Sequence, residues 1–221
     1  MSLFGYDIEK SFDYENGFYL TSDISRIGKI IAHYELYKLI KKLDGDLLEF
    51  GVFKGVSLIK WATFRELFER SDTRKIIGFD IFDKFPKTNF EKDKKLRKDF
   101  MEAAGETSIS KEELYNVLKL KKFNNIELIK GDILNTVPDY NKKNKNIKIS
   151  LMHIDVDIYE PSKVILQELY DKVVEGGVIV LDDYGKFPGE TKAVDDFFKF
   201  KSIKIQSFPF LKNGPSFIIK D

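Results

Sequence analysis

Leu47-Leu48-Glu49-Phe50-Gly51-Val52-Phe53-Lys54-Gly55 is the stretch that decides the fold. An apolar run enters a glycine-bearing turn, and Ser57 opens a segment with helical spacing through Leu58, Ala62, Leu67 and Phe68 over residues 57–70. A strand turning sharply into a helix is the first half of a βαβ unit. Gly51 and Gly55 let the backbone pass close to a ligand, and free amides at a helix start can hold an anion. The spacing is not GxGxxG, so the pyrophosphate fingerprint is incomplete, and a ligand carboxylate suits the turn better.

The same alternation extends outward from this turn. Residues 24–43 carry Ile27, Ile30, Ile31, Tyr34, Leu39 and Leu43 at helical spacing and stop at Asp44-Gly45. Strands are expected at 75–82, 126–132, 147–155 and 177–182, with helices between most of them, notably at 161–174. Their near-continuous apolar runs, such as Ile76-Ile77-Gly78-Phe79 and Val178-Ile179-Val180-Leu181, fit strands covered by helices on both faces. The expected fold is α/β, a doubly wound and mostly parallel sheet. After a helix at 190–201, two strand-like segments, 203–210 and 216–220, are joined by Lys212-Asn213-Gly214-Pro215 and are expected to close the sheet as an antiparallel hairpin.

One domain is expected over 1–221, with an N-terminal helical segment at 1–44. Residues 84–125, long and mixed in charge, read either as a solvated decoration or as a helical lid over the carboxyl ends of the strands.

Composition narrows the partners. The chain has 37 Lys and Arg against 36 Asp and Glu, a formal net charge of +1, so charge gives no reason to expect nucleic acid or a membrane surface. With no cysteine, disulfides and thiolate-ligated zinc or iron–sulfur sites are excluded. The first twenty residues lack a basic start followed by a continuous apolar core, so a cytoplasmic location is the default expectation. A small-molecule partner is expected, and a homo-oligomer stays open.

The residues that carry chemistry sit at the expected strand ends. Asp80, about thirty residues after the glycine turn, is placed to accept hydrogen bonds from ribose hydroxyls, with a helix cap or a surface carboxylate as its bland alternative. Asp132 ends the third strand beside the place an adenine ring would take. Asp155 ends the fourth strand, and Asp182 and Asp183 end the fifth. Neighbouring strands lie roughly 5 Å apart. The three carboxylates would then converge, and a cation is the simplest way to hold them together. Oxygen-only ligands favour a hard ion such as Mg²⁺. Residues two apart on a strand share a side, which puts His153, Asp155 and Asp157 together. Asp157 reads equally as a general base and as the cap of the following helix. His153 reads as a catalytic candidate and, more simply, as a satisfied core histidine.

At these residues the chain resembles the macrocin-type O-methyltransferases of macrolide and aminocoumarin pathways, metal-dependent enzymes that methylate sugar hydroxyls. The resemblance runs from about Leu20 to the final hairpin. Thr21-Ser22-Asp23-Ile24-Ser25-Arg26 matches the family's opening Thr-Ser and Arg, and Glu49, Gly51, Val52 and Gly55 match its E-x-G-V-x-x-G element. Asp80-Ile81-Phe82-Asp83-Lys84-Phe85-Pro86 is similar to D-S-F-x-G-L-P, although Phe82-Asp83-Lys84-Phe85 replaces the usual glycine-containing turn. Asp155, Asp157, Tyr159 and Glu160 match D-x-D-x-Y-E. Gly176, Gly177, Ile179, Asp182, Asp183 and Tyr184 match G-G-x-I-x-x-D-D-Y, and Ala193-Val194-Asp195-Asp196-Phe197 fits the helix that follows.

The resemblance implies a class I, Rossmann-like methyltransferase fold. It implies S-adenosylmethionine as cofactor, with Glu49, Gly51, Gly55, Ser57, Asp80 and Asp132 as the residues that bind it. It further implies Mg²⁺ on Asp155, Asp182 and Asp183, and catalysis by Asp155 and Asp157, with His153 beside them. The lid region has no clear counterpart in the family. A catechol-type O-methyltransferase would share cofactor and metal but take flat aromatic diols. A nicotinamide-dependent oxidoreductase would leave the clustered aspartates unexplained. A non-catalytic binding protein would more naturally have lost one of the three metal carboxylates, and all three are present.

Overall fold

Alternation along the strands decides which helix covers which face. The computed structural model describes residues 2–221. A small hairpin, β1 (Ser2–Leu3) and β2 (Tyr6–Asp7), leads into α1 (Ser11–Thr21) and α2 (Ile24–Ile40). The main sheet contains β3 (Asp46–Phe50), β4 (Ile76–Asp80), β5 (Ile126–Lys130), β6 (Ile149–Ile154), β7 (Val173–Leu181), β8 (Gln206–Ser207) and β9 (Ser216–Ile219). Interspersed are α3 (Val56–Phe68), α4 (Glu91–Ala104), α5 (Lys111–Leu120), α6 (Ile133–Lys143), α7 (Tyr159–Leu169) and α8 (Pro188–Phe198).

The spatial order is β5-β4-β3-β6-β7-β9-β8. The five strands from β5 to β7 are parallel, while β9 runs antiparallel to both β7 and β8. Leu48, Phe50, Ile77, Phe79, Met152 and Ile154 pack against α6, α7 and α8. Their chain neighbours Leu47, Ile76 and Leu151, with Val178 and Val180, point the other way and pack against α2, α3 and α5. Period-two alternation with apolar residues on both faces is what two helical layers require. This is the mostly parallel, doubly wound, Rossmann-like sheet that the sequence implies.

Two expectations change in detail. The segment expected as a strand at 203–210 keeps strand geometry only at Gln206–Ser207. Pro209 cannot donate to a ladder, and Phe208 leaves the strand to stack its ring on Phe210 at 5.2 Å and on Phe217 at 5.1 Å. The hairpin forms, with a longer connection than a tight turn. The stretch 84–125 also divides. Its second helix, α5, starts with a Ser110/Glu113 capping box and buries Leu114 and Leu118, one turn apart, in the core. Its first helix, α4, has one buried residue, Asp93.

At the amino ends of the strands a buried arginine ties elements together. Arg74 donates to both carboxylate oxygens of Glu69, at 2.8 and 3.0 Å. It also donates to the carbonyls of Gly45 at 3.1 Å and Ile40 at 3.0 Å. This end is closed, and the carboxyl end is open.

Candidate active site

The order of the sheet reverses between β3 and β6, the point at which open α/β sheets bind ligands. There the turns after β3, β4, β5, β6 and β7 surround a cavity of about 560 Å³, ordinary for a small-molecule site. Phe85 and Phe100 from the 84–125 stretch form part of its wall, so the α4 half of that stretch lies against the opening.

Gly51 has φ of +87°, and a Cβ there would lie 1.7 Å from the carbonyl oxygen of Asp155. The turn after β3 therefore crosses directly over the end of β6, and no side chain fits. Gly51 and Ser57 line the cavity. Glu49 does not: its side chain is fully buried, and the Ser57 hydroxyl donates to its Oε1. Gly55 is the left-handed residue just before α3, and a Cβ there would lie 2.9 Å from a methyl of Leu114.

Asp80 is on the wall and is already engaged. Its Oδ2 accepts from the Phe53 amide at 2.9 Å, and its Oδ1 accepts from the Phe82 amide at 2.6 Å and the Ser108 hydroxyl at 2.8 Å. It ties the turns after β3 and β4 to the loop between α4 and α5. Asp132 also lines the cavity and caps α6 by accepting from the Leu134 amide at 2.9 Å.

The acidic groups lie opposite. Single carboxylate oxygens of Asp155, Asp157 and Asp183 come within 4.8 Å of one another. Burial first, and then the neighbouring Asp182 charge, push the Asp155 carboxyl up to about 7. Burial and Asp183 hold Asp157 well above its ordinary range. Asp157 has φ of +62°, a left-handed conformation that costs a non-glycine residue about 1 kcal/mol. Such strain is typical of functional sites. It is not a helix cap: α7 has Ile158 at that position, without a side-chain bond.

Asp182 is turned differently from the other strand-end aspartates. It accepts from the Lys29 ammonium at 2.6 Å and meets His153 Nε2 at 3.4 Å. Lys29 and His153 outweigh burial and hold its carboxyl well below the usual range. The sequence grouped Asp155, Asp182 and Asp183. The structure packs Asp155 and Asp183 with Asp157, and Asp182 borders the same cavity from the Lys29 side. The cause is charge: Lys29, on α2, draws that one carboxylate away.

His153 does not reach the cavity wall. Its ring is fully buried between Asp182 and Glu49, whose Oε1 lies 3.6 Å from Nδ1, and the Trp61 ring meets it edge-on at 5.6 Å. Burial disfavours its charge, but the two carboxylates prevail and push it up to about 9. It lies against Asp182, beneath the cavity.

Several contributors were missed in the sequence. Lys29 and Lys60 both line the cavity; burial, then the Lys29 charge, lowers Lys60 to about 8. Ser108 and Asp93 come from the 84–125 stretch. Lys29 falls three residues after Arg26 of the recognised opening element, a helical spacing that could have flagged it. Nothing local marks Asp93 or Ser108.

Comparisons with known proteins found a matching family and similar structures. A family profile described as Macrocin-O-methyltransferase (TylF) matches residues 33–208. No curated protein matches the chain. Among solved structures it resembles CalS11, a calicheamicin methyltransferase, at 23% identity over 96% of this chain and 86% of that one, TM-score 0.77. A second structure of CalS11, named as a TDP-rhamnose 3'-O-methyltransferase, matches at 22% identity over 96% and 88%, TM-score 0.73. The O-methyltransferase NovP matches at 21% identity over 89% and 80%, TM-score 0.74. MycE, solved with Mg, SAH and mycinamycin VI, matches at 16% identity over 86% of this chain and 48% of that one, TM-score 0.50. With some four-fifths of its length matched by the profile, the chain belongs to the macrocin-O-methyltransferase family and is an S-adenosylmethionine-dependent O-methyltransferase.

Proposed function

We propose that the protein methylates a hydroxyl of a sugar or sugar-containing metabolite, with Mg²⁺ held by the strand-end aspartates. The observation that carries the metal reading is the packing of Asp155, Asp157 and Asp183 within 4.8 Å, with two of these carboxyls raised by burial and mutual repulsion. The nearby cations, His153 at 4.0 Å from Asp155 and Lys186 near Asp183, do not keep Asp155 and Asp157 from being raised, and an all-oxygen donor set fits a hard divalent ion. Lys186 approaches Asp183 at 3.5 Å, and Lys29 serves Asp182, but neither is bonded to Asp155 or Asp157.

Asp155 and Asp183 would hold the ion, with Asp182 kept beside them by Lys29, and its charge would stabilise the alkoxide that develops on the acceptor. Asp157, strained toward the cluster, is the group that would accept the hydroxyl proton. The glycine turn and Ser57 border the cofactor side, while Phe85 and Phe100 shield the cavity from water. The chain's main contribution is alignment of the sulfonium methyl with the acceptor oxygen. A sugar acceptor is supported by the family and by the name of CalS11, a TDP-rhamnose 3'-O-methyltransferase.

The test is methyl transfer from labelled S-adenosylmethionine across vicinal-diol and nucleotide-linked sugars, with catechols alongside, in Mg²⁺ and in excess chelator. Label should enter a sugar in Mg²⁺ and none in chelator. Turnover confined to catechols would assign the aromatic class instead. Undiminished transfer in chelator would remove the metal.

A further inference from the structure

Helices α7 and α8 each follow one of the acidic strand ends, and neither caps itself. The residue preceding α7 is Ile158 and that preceding α8 is Phe187, both without a side-chain bond to the first turn. The first turn of a helix leaves backbone amides without partners. In α8 the first residue is Pro188, which has no amide hydrogen, so Gly189 presents the first donor.

Both helices are served by one carboxylate from elsewhere. Asp93, on α4, is fully buried. Its Oδ2 accepts from the Tyr159 amide at 3.1 Å, the first residue of α7, and its Oδ1 accepts from the Gly189 amide at 2.7 Å. The fit is close enough that a Cβ on Gly189 would lie 1.9 Å from Asp93 Oδ2. A buried carboxylate is costly unless satisfied, and here it spans two positive helix ends.

The clasp continues into the acid-bearing loops. The Glu190 amide, next to Gly189, donates to the carbonyl of Asp157 at 3.3 Å, and the Glu190 carboxylate accepts from the Asp183 amide at 3.1 Å. The chain just before Asp93 is anchored to the same place. Thr88 and Asn89 donate to Glu160 at 3.0 and 2.9 Å, and Phe90 stacks on Tyr159 at 5.3 Å.

We propose that Asp93 is a positioning residue, which fixes the Asp155–Asp157 loop and the Asp182–Asp183 loop relative to each other and so makes α4 a structural part of the acidic site. Its consequence for metal binding rests on the function proposed above. The geometric part does not.

The test uses the full chain with Asp93→Asn, which keeps one acceptor oxygen, and Asp93→Ala. Three quantities are read: S-adenosylhomocysteine affinity by calorimetry, Mn²⁺ affinity by electron paramagnetic resonance, and amide hydrogen exchange. Cofactor-product affinity should stay within about threefold, because its side of the cavity is built on β3 and β4. Mn²⁺ affinity should fall at least tenfold in Asp93→Ala and by less in Asp93→Asn. Exchange should accelerate at 155–160 and 182–190 but not in α3. Unchanged exchange in those two loops would overturn the proposal. So would equal losses of cofactor-product and Mn²⁺ affinity in Asp93→Asn, which would mark a general stabilising role. If the unaltered protein takes up no Mn²⁺ while the exchange pattern appears as expected, the clasp stands and the metal reading falls.

Discussion

Asp157 concentrates the residue-scale question, because its carboxylate lies among the metal candidates while its backbone is held at φ of +62°. A ligand and a base respond differently to an isosteric amide. Asp157→Asn should lower kcat by at least about a hundredfold, the scale of general-base loss, and leave Mg²⁺ affinity within threefold. Asp183→Asn should weaken Mg²⁺ itself. Loss of metal affinity in Asp157→Asn would make Asp157 a ligand, with the proton going elsewhere. The strand-end aspartates were legible in the sequence because a strand's end is marked by where its apolar run stops. His153, Asp155 and Asp157 do fall on one side, with His153 Nε2 4.0 Å from Asp155 and the Asp155 and Asp157 oxygens within 4.8 Å, although strand geometry ends at Ile154. Beyond it alternation no longer holds, and the left-handed Asp157 redirects the chain. Lys29 could not be paired with Asp182 from sequence, since 153 residues separate them.

At the scale of elements, the parallel strands and their helices were legible because buried βαβ units carry long apolar runs. The 84–125 stretch was less so. Its two helices have opposite fates, α5 in the core and α4 at the site, and neither charge nor periodicity alone separates them. Gly51 was expected to let the backbone pass close to a ligand, and the structure shows it lying against the end of β6, at the carbonyl of Asp155. Nothing local in the sequence marks Arg74, which fastens α2, the end of α3 and the start of β6 through Glu69, the Ser150 hydroxyl and three carbonyls. Removing one partner of a buried ion pair leaves the other uncompensated. Arg74→Ala should therefore destabilise the fold by about 3–5 kcal/mol, seen as a lower denaturant midpoint. A change below about 1 kcal/mol would show that solvent reaches Glu69.

For the whole molecule, near-neutral net charge hides an uneven distribution, with raised carboxyls and cationic His153 gathered at one end of the sheet. Asp155 is held near 7 and His153 near 9, each above its ordinary value, so each contributes stability at low pH that is lost as pH rises through those values. Asp157 and Glu190, also raised, act in the same direction. His33 is depressed by burial, so its contribution is lost below about 6.5 and is flat above it. Lys60, lowered to about 8, opposes the trend only from about pH 8 upward. Between pH 6.5 and 8 the metal-free protein should therefore lose about 3–5 °C of Tm, the effect of 1–2 kcal/mol in a chain of this size. Mg²⁺ should restore more at pH 8 than at pH 6.5, because it binds ionised carboxylates. A metal-free Tm that rises across this window would contradict the charge assignment.

If the ends of β6 and β7 form a divalent-metal site beside the cofactor, calorimetric titration of Mg²⁺ into the complex with S-adenosylhomocysteine will show it. One site should appear in the unaltered protein, weakened at least tenfold by Asp155→Asn and by Asp183→Asn, while both variants still bind S-adenosylhomocysteine. No saturable Mg²⁺ heat, or the same heat in both variants, would contradict the account.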